Sequence, residues 1–341
     1  MSTREQAVVV TGMGMLTATG CGPHAVWRAV MEGRRACGTA VYALGDQMLI
    51  YPCHRVQQVP LDAVITEADR RSLADGQLLG DVDFAMLVVV ASQAIQNSGL
   101  KYSPGANRVG LVVAHENPGV VRLVDQLLTY LKELQASSPS LPECRIIDHF
   151  TRLGPHFYNL QTFAYLFYLA RILGIRGPSL VVNNACASGL YALEAARGFL
   201  TSGQADAVVV AASDYAHVTE YLWLRHQGFC SPSGRMLPFH RERDGAVLGD
   251  GAVAFVLERA DQAERRGARP IVEYLGGWFV QDTWRMSLPD PGAATYEAAI
   301  RGALDRAGLR PDAVDLVVPH GTGSPLLDRY EAEGIRRVFG R

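Results

Sequence analysis

The sequence predicts an α/β fold in which helices cover a mainly parallel sheet. Apolar runs of strand length alternate with segments of helical period along the chain, and glycines stand where the helical segments stop. At 341 residues, 48% hydrophobic and 19% charged, the chain can form one large or two ordinary domains. It can bury a sizeable core without staples.

Taken in order, residues 7–11 read as a buried strand followed by a turn at Gly12-Met13-Gly14. Residues 81–98 form an apolar helix stopped by Gly99, and 109–114 a strand. A strand over 179–182 runs into Asn183-Asn184-Ala185-Cys186. The following helix, 187–202, carries Leu190, Leu193, Ala196 and Leu200 on one face and stops at Gly203. Strands follow at 207–212, 251–258 and 271–275, with a short polar helix or loop at 261–267 between the last two. A helix over 294–307 ends at Gly308, a strand spans 314–319, and a closing helix spans 326–338.

Segment 94–113 echoes segment 303–318: each is a helix end, Gly-Leu, a polar turn and an apolar strand. Such a unit is generic, and it also suits a fold of two similar halves. Between about 101 and 178 clean strands are few and aromatics many (Tyr158, Phe163, Tyr165, Phe167, Tyr168), which reads as a helical insertion.

The net charge of −2 gives no electrostatic reason to expect nucleic acid or an anionic membrane as partner. The longest apolar run, 84–91, is far too short to cross a bilayer, and no signal peptide is visible, so a cytosolic protein is expected. The six cysteines (Cys21, Cys37, Cys53, Cys144, Cys186, Cys230) include no C-x-x-C pair, and the nine histidines no H-x-x-x-H pair. No metal site is expected. The only lysines are Lys101 and Lys132.

Three places invite chemistry. Gly12-x-Gly14 after a strand resembles the start of a dinucleotide fingerprint, but position 17 is Thr17 and no acidic residue closes the expected second strand, so nucleotide binding is not expected. Cys186 sits where an apolar strand stops and a helix starts. The helix N-terminus favours a thiolate, and the small neighbours Ala185, Ala187, Ser188 and Gly189 leave room for a substrate. The residue is either an exposed nucleophile or a thiol packed under the helix. His320 lies just past a strand, in a loop that Gly321 and Gly323 should make mobile. It is either a donor or base facing a crevice, or a loop histidine capping the next helix.

Five segments resemble the β-ketoacyl synthase (ketosynthase) family, the condensing enzymes of fatty-acid and polyketide synthesis. VVVTGMGMLTATG is similar to its opening strand and turn, and GPSLVVNNACASGLYAL to the D-T-A-C-S-S segment around its acyl-accepting cysteine. SGQADAVVVAASD resembles the helix–strand step after it. SPSGRMLPFHRERDGAVLGDGAVAFVLERADQAERRGA resembles its S-P-x-G-R…P-F-D…D-G-F-V…G-E-G-A block. PHGTGSPLLDRYE resembles A-H-G-T-G-T-P-x-G-D-x-x-E.

The resemblance implies a thiolase-like layered αβαβα fold of two similar halves, at 1–260 and 261–341. It implies that Cys186 takes an acyl group from an acyl carrier protein as a thioester. His320 would hydrogen-bond the malonyl thioester carbonyl during decarboxylation, and the Cys186 N–H would serve an oxyanion hole. It implies no metal or organic cofactor, since substrates arrive on the carrier's phosphopantetheine.

Asn183-Asn184 replace Asp-Thr, His240 the Asp of P-F-D, Ala246 a Phe and Asp250 a Glu. The family's K-x-x-x-G-H segment and F-G-F-G-G loop have no counterpart after His320. The C-terminal half is therefore expected to be incomplete, with an unpaired strand edge and an uncovered apolar face. Three functions follow as expectations. One is a chain-length-factor-like subunit, paired with a complete ketosynthase in a heterodimer. The second is a stand-alone condensing enzyme or acyltransferase, as a homodimer. The third is a non-enzymatic scaffold or truncated homologue.

Overall fold

In the computed structural model, which describes residues 7–44, 47–102, 108–116, 118–136, 151, 154, 160–285 and 288–340, the main sheet is mixed, not mainly parallel. The strands are β1 (Val8–Thr17), β2 (Gly20–Cys21), β3 (Gly38–Leu44), β4 (Gln47–His54), β5 (Val109–Ala114), β6 (Ser179–Val182), β7 (Ala207–Asp214), β8 (Leu248–Gly249), β9 (Gly251–Arg259) and β10 (Val272–Tyr274). The main sheet has the order β10-β1-β9-β7-β5-β6. β5 runs parallel to β6 and β7, whereas β9 is antiparallel to both β1 and β7. The apolar runs of β5, β7 and β9 do not encode direction, and the alternation of strands with helices alone led to the mainly parallel expectation that β9 overturns.

The helices are α1 (Pro23–Met31), α2 (Glu67–Asp75), α3 (Val82–Ser98), α4 (Val120–Ala136), α5 (Phe163–Leu173), α6 (Ser188–Thr201), α7 (Val218–His226), α8 (Ala260–Arg265), α9 (Ala294–Ala307) and α10 (Pro325–Phe339). The contacts separate into two units. One comprises Met1–Ile50, Arg55–Tyr215 and Asp250–Glu273; the other comprises Tyr51–His54, Ala216–Gly249 and Tyr274–Arg341.

In the first unit, β1 overruns the expected turn at Gly12-Met13-Gly14. The reason is packing. A Cβ on Gly12 would lie 2.1 Å from the Ala94 carbonyl oxygen, and one on Gly14 2.0 Å from that of Val90. These glycines let α3 lie directly on the strand, with a bulge between Val10 and Gly12 easing the register. α3 is buried along Phe84–Ala91, as befits a helix apolar all round. The sheet covers it through β1, β9 and β7, and α5 packs against it as well, with Phe84 and Tyr165 edge to face at 5.1 Å.

The start and stop signals of α3 were legible: Asp81 caps its N-terminus and Gly99 ends it at φ 63°. Within 101–178 the described residues hold β5, the strand expected at 109–114, and the helices α4 and α5, while Tyr158 lies outside the described residues. On α6 the inward face is Ser188, Ala192, Ala196 and Leu200, and Leu190 points outward. The face is therefore shifted from the one expected.

In the second unit, α9 and α10 pack through Tyr296 and Tyr330, ring centroids 5.2 Å apart, and Gly334 makes room for the Tyr296 ring. α9 ends at Gly308 in the left-handed region, as expected. Residues 314–319 form no strand. No amide over 315–319 has a hydrogen-bond partner among the described residues. Leu316 is 77% and Val318 82% exposed. The apolar pattern predicted a strand, but a strand exists only where a neighbour accepts its ladder. Among the described residues, no helix is long and apolar enough to cross a membrane.

Candidate functional site

Cys186 is exposed on the turn between β6 and α6. The turn is built by its neighbours. Ser188, buried, accepts from the Asn184 N–H at 2.7 Å and donates to the Ala185 carbonyl at 2.6 Å. This closes a tight loop that holds Ala185 at φ 48°, a left-handed conformation that costs a non-glycine residue energy. Asn183 donates its side-chain N–H to the Glu116 carbonyl at 3.2 Å. Where β6 ends, the His115 N–H donates to the Val182 carbonyl at 3.2 Å. The strand edge and the turn are thus stitched to the end of β5.

α6 begins at Ser188 with Ala187 as N-cap and no side-chain cap. Its first N–H groups and macrodipole therefore point at the segment bearing Cys186. A strained strand-to-helix turn that holds a thiol in the open, at a positive helix end, suits nucleophilic attack on a thioester carbonyl. Of the two readings left open for Cys186, the exposed one matches this geometry. The sequence signal for Ser188 and Asn183 was present, but small polar residues beside a nucleophile read as spacers, not as staples.

His320 belongs to the other unit and is exposed. Its loop is pinned, contrary to the mobility expected from Gly321 and Gly323. The His320 N–H donates to Glu331 Oε1 at 2.8 Å and the Gly321 N–H to Glu331 Oε2 at 2.7 Å. The Gly323 N–H donates to Asp328 Oδ1 at 3.0 Å. Both carboxylates stand on α10 and are buried. The glycines provide positive φ (59° and 78°) and close approach, since a Cβ on Gly323 would meet the Gly245 carbonyl oxygen at 2.6 Å.

Asp328 also accepts from the Phe239 N–H at 2.6 Å, and Tyr296 donates its hydroxyl to Glu331 at 2.9 Å. Hydrogen bonding to Glu331 adds to burial in pushing the Tyr296 phenol well up. The segment that carries Phe239 is closed on itself by Ser231, which donates to Asp244 at 2.5 Å and, with the Ser233 N–H, holds that carboxyl below the usual range. Sequence reasoning missed Asp328 and Glu331. Their signal was two acids three residues apart, hence on one face of the helix that follows His320.

Of the substituted positions, His240 takes a backbone hydrogen bond from Glu242 at its Nδ1 (3.1 Å). Asp250, buried, accepts from Arg55 at 2.8 Å and the Val56 N–H at 3.0 Å.

The family model of the β-ketoacyl synthase N-terminal domain matches residues 164–263, and that of its C-terminal domain residues 273–341. A putative polyketide beta-ketoacyl synthase 1 of Streptomyces virginiae is 29% identical over 348 residues, covering 98% of this chain and 77% of the relative. The 3-oxoacyl-[acyl-carrier-protein] synthase 2 of Vibrio cholerae is 26% identical over 349 residues, covering 98% and 78%. Among solved structures, the ishigamide ketosynthase/chain length factor superposes with a TM-score of 0.80 at 23% identity, covering 98% of this chain and 78% of that one. That likeness bears out the thiolase-like α/β fold.

Proposed function

Given that the chain belongs to the β-ketoacyl synthase family, the condensing enzymes of fatty-acid and polyketide synthesis, we propose that Cys186 accepts an acyl group from an acyl carrier protein. The observation that carries this reading is the exposed Cys186 on its strained turn ahead of α6. The thiolate attacks the carrier's thioester carbonyl, the tetrahedral oxyanion is met by the Cys186 N–H, and the phosphopantetheine thiolate leaves and takes up a proton. His320, fixed by Glu331, serves as hydrogen-bond donor to a thioester carbonyl on which negative charge develops during decarboxylation. The route needs no metal or organic cofactor.

We further propose that the chain works as a subunit beside a second ketosynthase-family chain, in the manner of a chain-length factor. Two surfaces support this. β6 is an edge strand, with β5 as its one partner among the described residues. Beside it lies a mostly apolar hollow of about 780 Å³ whose lining includes Phe163, Leu166, Phe167 and Ile175 together with Arg171 and Arg176. An open edge with apolar surface next to it favours strand-to-strand pairing with another subunit.

Intact-mass analysis after mixing with acyl-[acyl carrier protein] tests the first reading. The expected result is one acyl adduct on the wild type and none on Cys186→Ala. No adduct on the wild type, or an equal adduct on the variant, overturns it. Co-purification with a complete ketosynthase tests the second, and a monodisperse protein that is fully active alone refutes it.

A further inference from the structure

β5 delivers His115 to an almost sealed position, 5% exposed. Its Nε2 lies 2.8 Å from Asp83 Oδ2 on the first turn of α3. Its ring meets Tyr165 of α5 edge-on, centroids 4.8 Å apart, and the Tyr165 hydroxyl donates to Asp81 at 2.8 Å. Asp81 and Asp83 are buried, and Asp83 Oδ1 has no hydrogen-bond partner among the described residues. Asp214 at the end of β7 also faces His115, and Asp214 in turn faces Glu116 and Asp250. Arg122 of α4 faces Asp81, while Arg55 is committed to Asp250. An imidazole thus sits among carboxylates where water cannot compensate either.

This cluster is wired to the Cys186 turn. The His115 N–H holds the Val182 carbonyl at the end of β6, and the carbonyl of the next residue, Glu116, holds the Asn183 side chain. A displacement at His115 therefore acts on the two residues that lead into the turn.

We propose that His115, held by Asp83, is a positioning residue for Cys186, and that gain or loss of its proton shifts the 183–187 turn and the accessibility of Sγ. The inference rests on the reading of Cys186 as acyl acceptor. Burial alone pulls the His115 pKa down, but the Asp83 hydrogen bond and the charges of Asp83, Asp214 and Asp81 outweigh it and leave it raised. Asp214, crowded by protein and by Asp83 and Glu116, is pushed up to about 6. It keeps an open side to solvent, so His115 is the group on which the switch turns. Below the native His115 pKa the imidazolium–carboxylate pair is intact. Above it, Asp83 faces Asp81 and Asp214 without the imidazolium that pairs with it, and the end of β5 relaxes to separate them.

The test is the rate at which iodoacetamide labels Cys186 in the full chain, resolved by peptide mass spectrometry, with exposed Cys37 as internal reference. Dividing the wild-type Cys186-to-Cys37 ratio by that of His115→Gln at each pH removes the ionisation of Cys186 itself, and the quotient is expected to step by roughly threefold to tenfold between about pH 5.5 and 8.5, the scale of half to one pKa unit of differential interaction. His115→Gln keeps a donor for Asp83 but does not titrate, and Asp83→Asn, which removes the partner charge, is expected to give no step over that range when divided in the same way. A wild-type quotient that is flat with pH, or the same step in Asp83→Asn, overturns the proposal. So does a uniform fall in labelling that leaves the profile's shape intact, which marks a merely structural role. A step that vanishes as expected, with no acyl adduct formed at any pH, leaves the positioning role standing and removes the acyl-acceptor reading instead.

Discussion

Glu331 grips His320 by its backbone and not by its ring: one carboxylate oxygen takes the His320 N–H at 2.8 Å and the other the Gly321 N–H at 2.7 Å. The grip fixes the loop while leaving the imidazole at the surface. Glu331→Ala leaves two backbone donors and the Tyr296 hydroxyl without their acceptor. It is expected to cost about 2–4 kcal/mol of stability, since hydrogen bonds to a buried charge are worth more than neutral ones. Urea unfolding measures this, and Glu331→Gln should recover part of the loss by restoring one acceptor.

Gly14→Ala should be among the most damaging single-methyl changes in the protein. The new Cβ would stand 2.0 Å from the Val90 carbonyl oxygen, so α3 must lift off β1, at a cost of about 3 kcal/mol or more. Gly80→Ala, where a Cβ meets nothing within 4 Å, is the control. Thermal unfolding of the two side by side decides the matter.

Ala185→Gly should stabilise the chain by up to about 1 kcal/mol. The left-handed conformation at φ 48° costs alanine more than it costs glycine, although the freer unfolded chain takes part of that back. Ser188→Ala should act in the opposite direction, because it removes the hydroxyl that closes the turn. It should also slow acylation of Cys186. Chemical denaturation and intact-mass time courses read the two effects separately.

Stability should fall as pH rises through neutrality. The native pKa of His115 is raised above its ordinary value. Its favourable contribution is therefore complete below about 6.5, the unfolded value, and is lost as pH climbs through the native one. Asp214, raised to about 6, has the same sign at lower pH: the folded state holds that proton more tightly, so ionisation above about 4 works against folding. Urea midpoints from about pH 5 to 8 should drift downward in wild type and flatten above neutrality in His115→Gln. A midpoint that rises over that range is incompatible with the cluster as described.

Features written into local residue chemistry were legible in the sequence: Asp81 and Gly99 bounding α3, Gly308 ending α9, and the apolar runs of β5 and β6. The capping pair Thr66 and Asp69 carries a signal of the same kind for α2, an element the sequence expectations passed over. Relations between distant segments were not legible. Gly12 and Gly14 looked like a turn because the helix carbonyls that demand them lie some eighty positions away. The Asp83–His115 bond joins two elements that carry no shared motif. Residues 314–319 have a strand's composition, but whether a strand forms depends on a neighbour that composition cannot specify. Cys186 and His320 stand out in the sequence as candidates, whereas the groups that hold their backbone in place, Ser188 and Glu331, needed coordinates.

The run from Asp315 to Pro319 also has a kinetic signature. Amides bonded only to solvent trade their hydrogens for deuterium at nearly the intrinsic rate of a free peptide, while those of β5, paired on both sides, wait for large-scale opening. The same chain should thus contain a stretch that exchanges almost at once and a core that exchanges last. Any macromolecule that seats a strand against 315–319 would reveal itself by silencing that fast signal alone.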